Sequence, residues 1–171
     1  RYTGAVGLGH EILHCWWGNY VIAGESAENW CEGLTTYCSN YLHQERNEGD
    51  AAARDYRRHT ATRFSVLAPP GQDYPVRQFV GKVTEIDNEV GYGKCSMIFH
   101  MVRRMLGDEK FFAALRDILH THGGRHAGWD DFRLAFEKAG GRPLGDFFAQ
   151  WLDRPGAPVL GRLAVDYTQA G

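Results

Sequence analysis

The chain has 171 residues, with 19 Lys and Arg against 21 Asp and Glu and a formal charge of -2. Such balance excludes nucleic acid or an anionic membrane as the main partner, because both need concentrated positive charge. A composition of 43% hydrophobic and 23% charged residues excludes wholesale disorder, and no apolar run approaches the roughly 18 residues of a membrane span.

The chain opens at Arg1 with no signal-like segment, and a structured pattern begins within ten residues. It is therefore expected to be a piece of a longer polypeptide. Residues 2–17 read as a helix, stopped by Gly18-Asn19 after Trp16-Trp17. A second helical stretch opens at Glu25 or Ser26 and runs through Trp30, Leu34, Tyr37 and Tyr41. The polar segment 44–50 breaks it at Gly49. Helical spacing resumes over 51–66 with Arg54, Arg57, Arg58 and Arg63, read as a solvated face. Residues 68–77 are a loop by composition, and 91–106 a strongly apolar helix in which His100 reads as a satisfied core histidine. A helix over 109–120 is followed by a loop at Gly123-Gly124, flanked by His120, His122 and His126. That cluster lacks thiolate or carboxylate support and reads as a solvated loop. Two more helices follow, one capped near Trp129 or Asp130 and ended by Gly140-Gly141, one from Pro143 to Trp151. Residues 157–171 look like strand, the start of a following β domain or a tail, leaving 1–156 as a mainly α portion. The cysteines at 15, 31, 38 and 95 form neither CxxC nor a dense framework, so reduced thiols are expected, which mildly favours a cytoplasmic setting.

The sharpest chemical signal is His10-Glu11-Ile12-Leu13-His14. Histidines at i and i+4 share a helix face and can reach one zinc ion, with Glu11 placed to act as general base on water. A catalytic zinc also wants a third protein ligand and an open position. Glu25, Glu28, Glu32 and the four cysteines are the candidates. Glu32 lies 18 positions after His14 on the second helix, and a hairpin of two helices could return it to the metal. Glu28, one turn earlier, is the runner-up.

Taken together these residues resemble the aminopeptidase N family of zinc metallopeptidases, of the gluzincin type. The resemblance rests on residues 10–19 (HEILHCWWGN) followed by Trp30-Cys31-Glu32-Gly33 and Tyr37. It continues through Tyr74-Pro75-Val76, Tyr92-Gly93-Lys94-Cys95, Phe147-Phe148-Ala149-Gln150-Trp151 and Gly156-Ala157-Pro158, in family order. It implies the helical part of a thermolysin-like catalytic domain with a short β segment at its C-terminus. It also implies one Zn2+ on His10, His14 and Glu32, with Glu11 catalytic and Tyr92 as the donor to the oxyanion. The implied partners are a peptide substrate and the remaining lobes of a parent polypeptide.

This sequence departs from the family pattern at several places. Seventeen residues separate His14 from Glu32 where relatives have one more. Cys31 replaces the Asn before the ligand, Cys95 replaces a Gly, and Ser39 stands where relatives often carry a carboxylate that orients a histidine. The upstream Gly-x-Met-Glu-Asn segment, which forms the other cleft wall, is missing, so the piece alone is expected to be a weak or inactive catalyst. Three readings follow: a zinc aminopeptidase, a zinc hydrolase of the same fold acting on another substrate (an endopeptidase or epoxide hydrolase), and a non-catalytic scaffold.

Overall fold

The computed structural model describes residues 2–24 and 27–156. The helices are α1 (Tyr2–Leu13), α2 (Cys31–Thr36), α3 (Leu42–Asn47), α4 (Asp50–Leu67), α5 (Glu85–Asp87), α6 (Cys95–Leu106), α7 (Asp108–His122), α8 (Trp129–Gly140) and α9 (Gly145–Leu152). Two π-helical segments, Tyr37–Tyr41 and Asn88–Lys94, join α2 to α3 and α5 to α6 without a break. Residues Val21–Ile22 (β1) and Arg125–His126 (β2) form a parallel pair, with Val21 opposite Arg125. The expected strand at 157–171 lies outside the described residues.

The core is aromatic. Trp30, Phe99, Trp129, Phe132 and Phe136 are all fully buried, with Trp30 and Phe132 centroids 4.6 Å apart and Phe99 stacked on Trp129 at 5.4 Å. Each such side chain contributes on the order of 1.5–3 kcal/mol by leaving water. The Trp30 indole also donates to the Ala127 carbonyl at 2.7 Å, tying the segment before α2 to the approach to α8. The central helix α6 is buried on most of its circumference, and it packs against α2, α7 and α8.

Several boundaries differ from those the sequence predicts, each for a physical reason. The first helix ends at Leu13, a turn early, because the chain reverses there. Gly18 adopts φ +110° and its N–H bonds the Val21 carbonyl at 2.8 Å. The second helix begins only at Cys31. Residues 28–29 are instead tied to 77–79, with Glu28 N–H on the Arg77 carbonyl at 2.9 Å and Asn29 N–H on the Phe79 carbonyl at 3.0 Å. Glu28 therefore does not lie one helical turn before Glu32, and its own φ is +62°. The helix expected from residue 91 starts at Glu85 instead, because Thr84 and Asp87 close a capping box. Tyr92 thus sits inside a π-helical segment rather than at a helix start.

Two glycines mark backbone approaches that no larger residue permits. A Cβ on Gly33 would meet the Cys95 sulfur at 2.1 Å, so α2 and α6 touch there. A Cβ on Gly91 would meet the Phe79 ring at 2.2 Å. The missing side chain at 91 is what seats that ring.

An ionic knot around the buried Arg103 side chain holds α3 to α6 and α7. Arg103 donates to both Asp108 oxygens at 2.8 Å, to Glu45 at 2.5 Å and to the Tyr37 hydroxyl at 3.1 Å. Every one of these partners is hydrogen-bonded, the condition under which burying such charge is tolerable. The Asp108 carboxyl is held below its usual range by these Arg103 hydrogen bonds.

Candidate metal centre

His10 lies in the last turn of α1 and His14 just past its end, where its N–H still bonds the His10 carbonyl at 3.2 Å and the i, i+4 spacing keeps both on one face. Glu32 comes from the first turn of α2, which the Gly33–Cys95 contact holds against α6. The three ligand atoms converge. His10 Nε2 lies 3.2 Å from Glu32 Oε2, His14 Nε2 lies 3.4 Å from the same oxygen, and the two Nε2 atoms are 3.1 Å apart. Among the described residues this is the one group of three His, Cys, Asp or Glu side chains with such convergence.

These distances test whether a zinc ion fits. Zinc bonds of about 2.0–2.1 Å at a tetrahedral angle put neighbouring ligand atoms about 3.3–3.4 Å apart. The observed edges of 3.1–3.4 Å match to within a few tenths of an ångström. The protonation pattern fits as well. His14 Nδ1 donates to the Trp17 carbonyl at 2.9 Å, which leaves its Nε2 with a free lone pair facing the centre. Burial works against the Glu32 charge, but the His10 hydrogen bond and the two imidazoles outweigh it and hold the carboxyl below its usual range.

The turn after α1 explains how His14 is oriented. The chain reversal at Gly18 brings the Trp17 carbonyl back onto the imidazole, with Thr35 Oγ1 3.5 Å from the same nitrogen. Ser39 takes no part in this. Its hydroxyl faces the Thr35 carbonyl at 2.8 Å and Asn40 Oδ1 at 2.6 Å. A backbone carbonyl, that of Trp17, is what orients His14 here.

Glu11 and Tyr92 line the same cavity as the three converging residues, a space of about 740 Å³. The Tyr92 ring stacks on His10 at 6.1 Å, with Phe79 edge-on behind it at the same distance. Burial, then the Glu32 charge and its hydrogen bond with the phenol, push the Tyr92 pKa up, so the hydroxyl keeps its proton.

The other candidates fall elsewhere. Glu28 pairs with Arg77 at 2.9 Å and accepts the Trp129 N–H at 3.2 Å. The Cys31 thiol donates to Asn29 Oδ1 at 2.9 Å, and burial and the Glu32 charge push it up to about 12. Glu25 lies outside the described residues. The four cysteines are free thiols. His122 lies 3.4 Å from Asp131, away from the centre, while His120 and His126 are exposed.

One pair escapes sequence reasoning. Arg63 belongs to no solvated face: it donates to the buried Glu89 at 2.5 and 3.0 Å, and both line the far side of the cavity. Glu89 closes the polar string Glu85-Ile86-Asp87-Asn88-Glu89, where nothing in the sequence marks it as buried.

The peptidase family M1 domain matches residues 5–151 of the chain. Aminopeptidase N of Lactococcus lactis subsp. lactis is 35% identical over 85 residues, which is 50% of this chain and 10% of that protein. A probable aminopeptidase 2 of Sulfurisphaera tokodaii is 26% identical over 161 residues, 90% of this chain and 20% of that one. The chain thus spans a tenth to a fifth of these curated relatives. In structure it superposes on a mutant M1 zinc metallopeptidase of Deinococcus radiodurans bound to a Tyr-Ser-Ala substrate. There the TM-score is 0.69 at 22% identity, covering 91% of this chain and 34% of that one. A two-domain M1 zinc metallopeptidase mutant bound to L-tryptophan gives a TM-score of 0.74 at 21% identity over 92% of this chain and 35% of that one.

Proposed function

This chain belongs to the peptidase M1 family, and we propose from that premise that it carries the catalytic centre of a zinc aminopeptidase. The observation that carries the reading is the convergence of His10 Nε2, His14 Nε2 and Glu32 Oε2 at tetrahedral spacing. We further assign residues 1–156 to the helical portion of the peptidase domain and 157–171 to the start of a following β domain or a tail. The remaining lobes of the parent polypeptide supply the second cleft wall. Peptides are the substrates, a reading supported by the tripeptide bound to one structural neighbour.

Zinc held by the three ligands supplies Lewis acidity to the scissile carbonyl and lowers the pKa of water. The chain's own residues do the rest. Glu11 takes a proton from the attacking water and passes it to the leaving amine, so proton and leaving group balance. The neutral Tyr92 phenol, whose O–H faces Glu32 in the free chain, turns that single donor to the oxygen on which negative charge develops. Trp17 fixes His14 in the tautomer that leaves Nε2 free. A scaffold would have no need of His10, Glu11, His14, Glu32 and Tyr92 around one cavity. Glu11→Gln in the full-length parent should lower aminoacyl-amide hydrolysis by roughly 10²–10⁴ while zinc content holds. Unchanged hydrolysis would remove Glu11 from the mechanism.

A further inference from the structure

A second cavity of about 450 Å³ shares no residue with the first. Two helices face each other across it. Arg54 and Arg57, about one turn apart, come from α4, and His100 and Arg104 come from α6. Among the described residues, none of these three guanidiniums has a carboxylate within 4.0 Å, whereas Arg63, Arg77, Arg103 and Arg133 are each paired. The two acids on the wall do not cancel them. Glu45 is already taken up by Arg103 at 2.5 Å and by the Tyr41 hydroxyl at 2.9 Å. Asp50 heads α4, whose N-terminus has no side-chain cap.

His100 adds a second, independent sign. The ring is buried, edge-on to Tyr41 at 4.7 Å, and its Nδ1 has no hydrogen-bond partner among the described residues. This overturns the expectation of a satisfied core histidine. A buried polar atom left unpaired is costly, and natural cores rarely leave one without a reason. Burial and the Arg57 charge hold the imidazole down at about 4, so it is neutral at pH 7 and surrounded by positive potential.

We propose that Arg54, Arg57 and Arg104, with the His100 ring, form an anion site that takes a phosphate group, separate from the metal centre. Guanidinium forks match phosphate oxygens in pairs, and two arginine-bearing helices facing each other can hold a tetrahedral anion from both sides. Arg57 spends one donor on the Tyr41 hydroxyl at 2.5 Å and keeps the others. The volume leaves room for more than a monatomic ion, so either inorganic phosphate or a phosphomonoester can be seated.

The test is calorimetric titration and thermal unfolding of the full chain with inorganic phosphate, a phosphorylated sugar and chloride, at matched ionic strength. Inorganic phosphate should bind one to one and raise Tm saturably by about 5–10 °C at a hundredfold excess over Kd. Arg54→Gln and Arg104→Gln, both at exposed positions, should weaken it roughly tenfold to hundredfold, while Arg116→Gln on α7 should leave it unchanged. Tighter binding of the sugar phosphate assigns the site to a phosphorylated small molecule, and equal binding assigns it to phosphate itself. A response no greater than that to chloride, or the same loss in Arg116→Gln as in the two cavity variants, would overturn the proposal.

Discussion

Replacing Gly33 by Ala should disturb the metal centre without touching a ligand. Alanine favours a helix over glycine by about 1 kcal/mol, so an open site would gain stability. Gly33 is not open. The new methyl would sit 2.1 Å from Cys95 Sγ, 2.5 Å from its Cβ and 3.1 Å from its carbonyl carbon. The thiol can rotate away, but the Cβ cannot, and restoring ordinary contact requires α2 and α6 to part by about 0.9 Å. Overpacking of this kind costs typically 1–3 kcal/mol, which outweighs the propensity gain. Tm should fall by about 2–8 °C. Glu32 is the adjacent residue and moves with α2, while metal sites tolerate only about 0.2 Å. Zinc affinity should therefore drop roughly tenfold to hundredfold, the scale for disturbed ligand support. Unfolding scans with and without zinc, beside a competitive chelator titration, measure both effects. Adding Cys95→Gly removes the two closest contacts and should restore most of each. An unaltered Tm and zinc affinity in Gly33→Ala, or a double variant no better than the single, would refute the reasoning.

Tyr92→Phe in the full-length parent should lower kcat by roughly 10²–10³, with zinc content unchanged and KM little moved, as loss of one oxyanion donor requires. An unaltered kcat would return the ring to packing against His10 and Phe79. The second expectation concerns pH. His100 titrates near 4 in the folded chain, below its ordinary 6.5. The unfolded state therefore binds the extra proton first. The stability from keeping the ring neutral is full above pH 6.5 and is lost as pH falls toward 4. Between about pH 7.5 and 4.5 that loss is roughly 2–3 kcal/mol. Urea unfolding of the parent chain against His100→Phe at both pH values isolates it, and equal losses in the two would contradict the assignment.

The local chemistry was legible because it is local. His10 and His14 need only a helix to share a face, and that helix needs only its own residues. Glu32 was reachable on the assumption of a helical hairpin, although the hairpin is not the one expected. Its second arm starts at Cys31 because residues 28–29 hydrogen-bond to 77–79, a pairing across some fifty residues that no periodicity announces. Tyr92, 60 positions after Glu32, reaches His10 only through the tertiary fold; the resemblance pointed to it, and the spacing alone did not. The π-helical segments were invisible, since one inserted residue per turn barely alters an apolar pattern. The Arg63–Glu89 pair and the unpartnered His100 nitrogen were missed together. A helix face full of arginine looks solvated until the acid or the cavity it faces is known.

The account rests on which atoms hold the metal, and anomalous diffraction at the zinc edge from crystals of the zinc-loaded full chain reads this directly. A single peak should lie about 2.0–2.2 Å from His10 Nε2, His14 Nε2 and a Glu32 carboxylate oxygen, with the next ligand from water. A peak beside Glu28, or a bond of about 2.3 Å to the Cys31 sulfur, would contradict it.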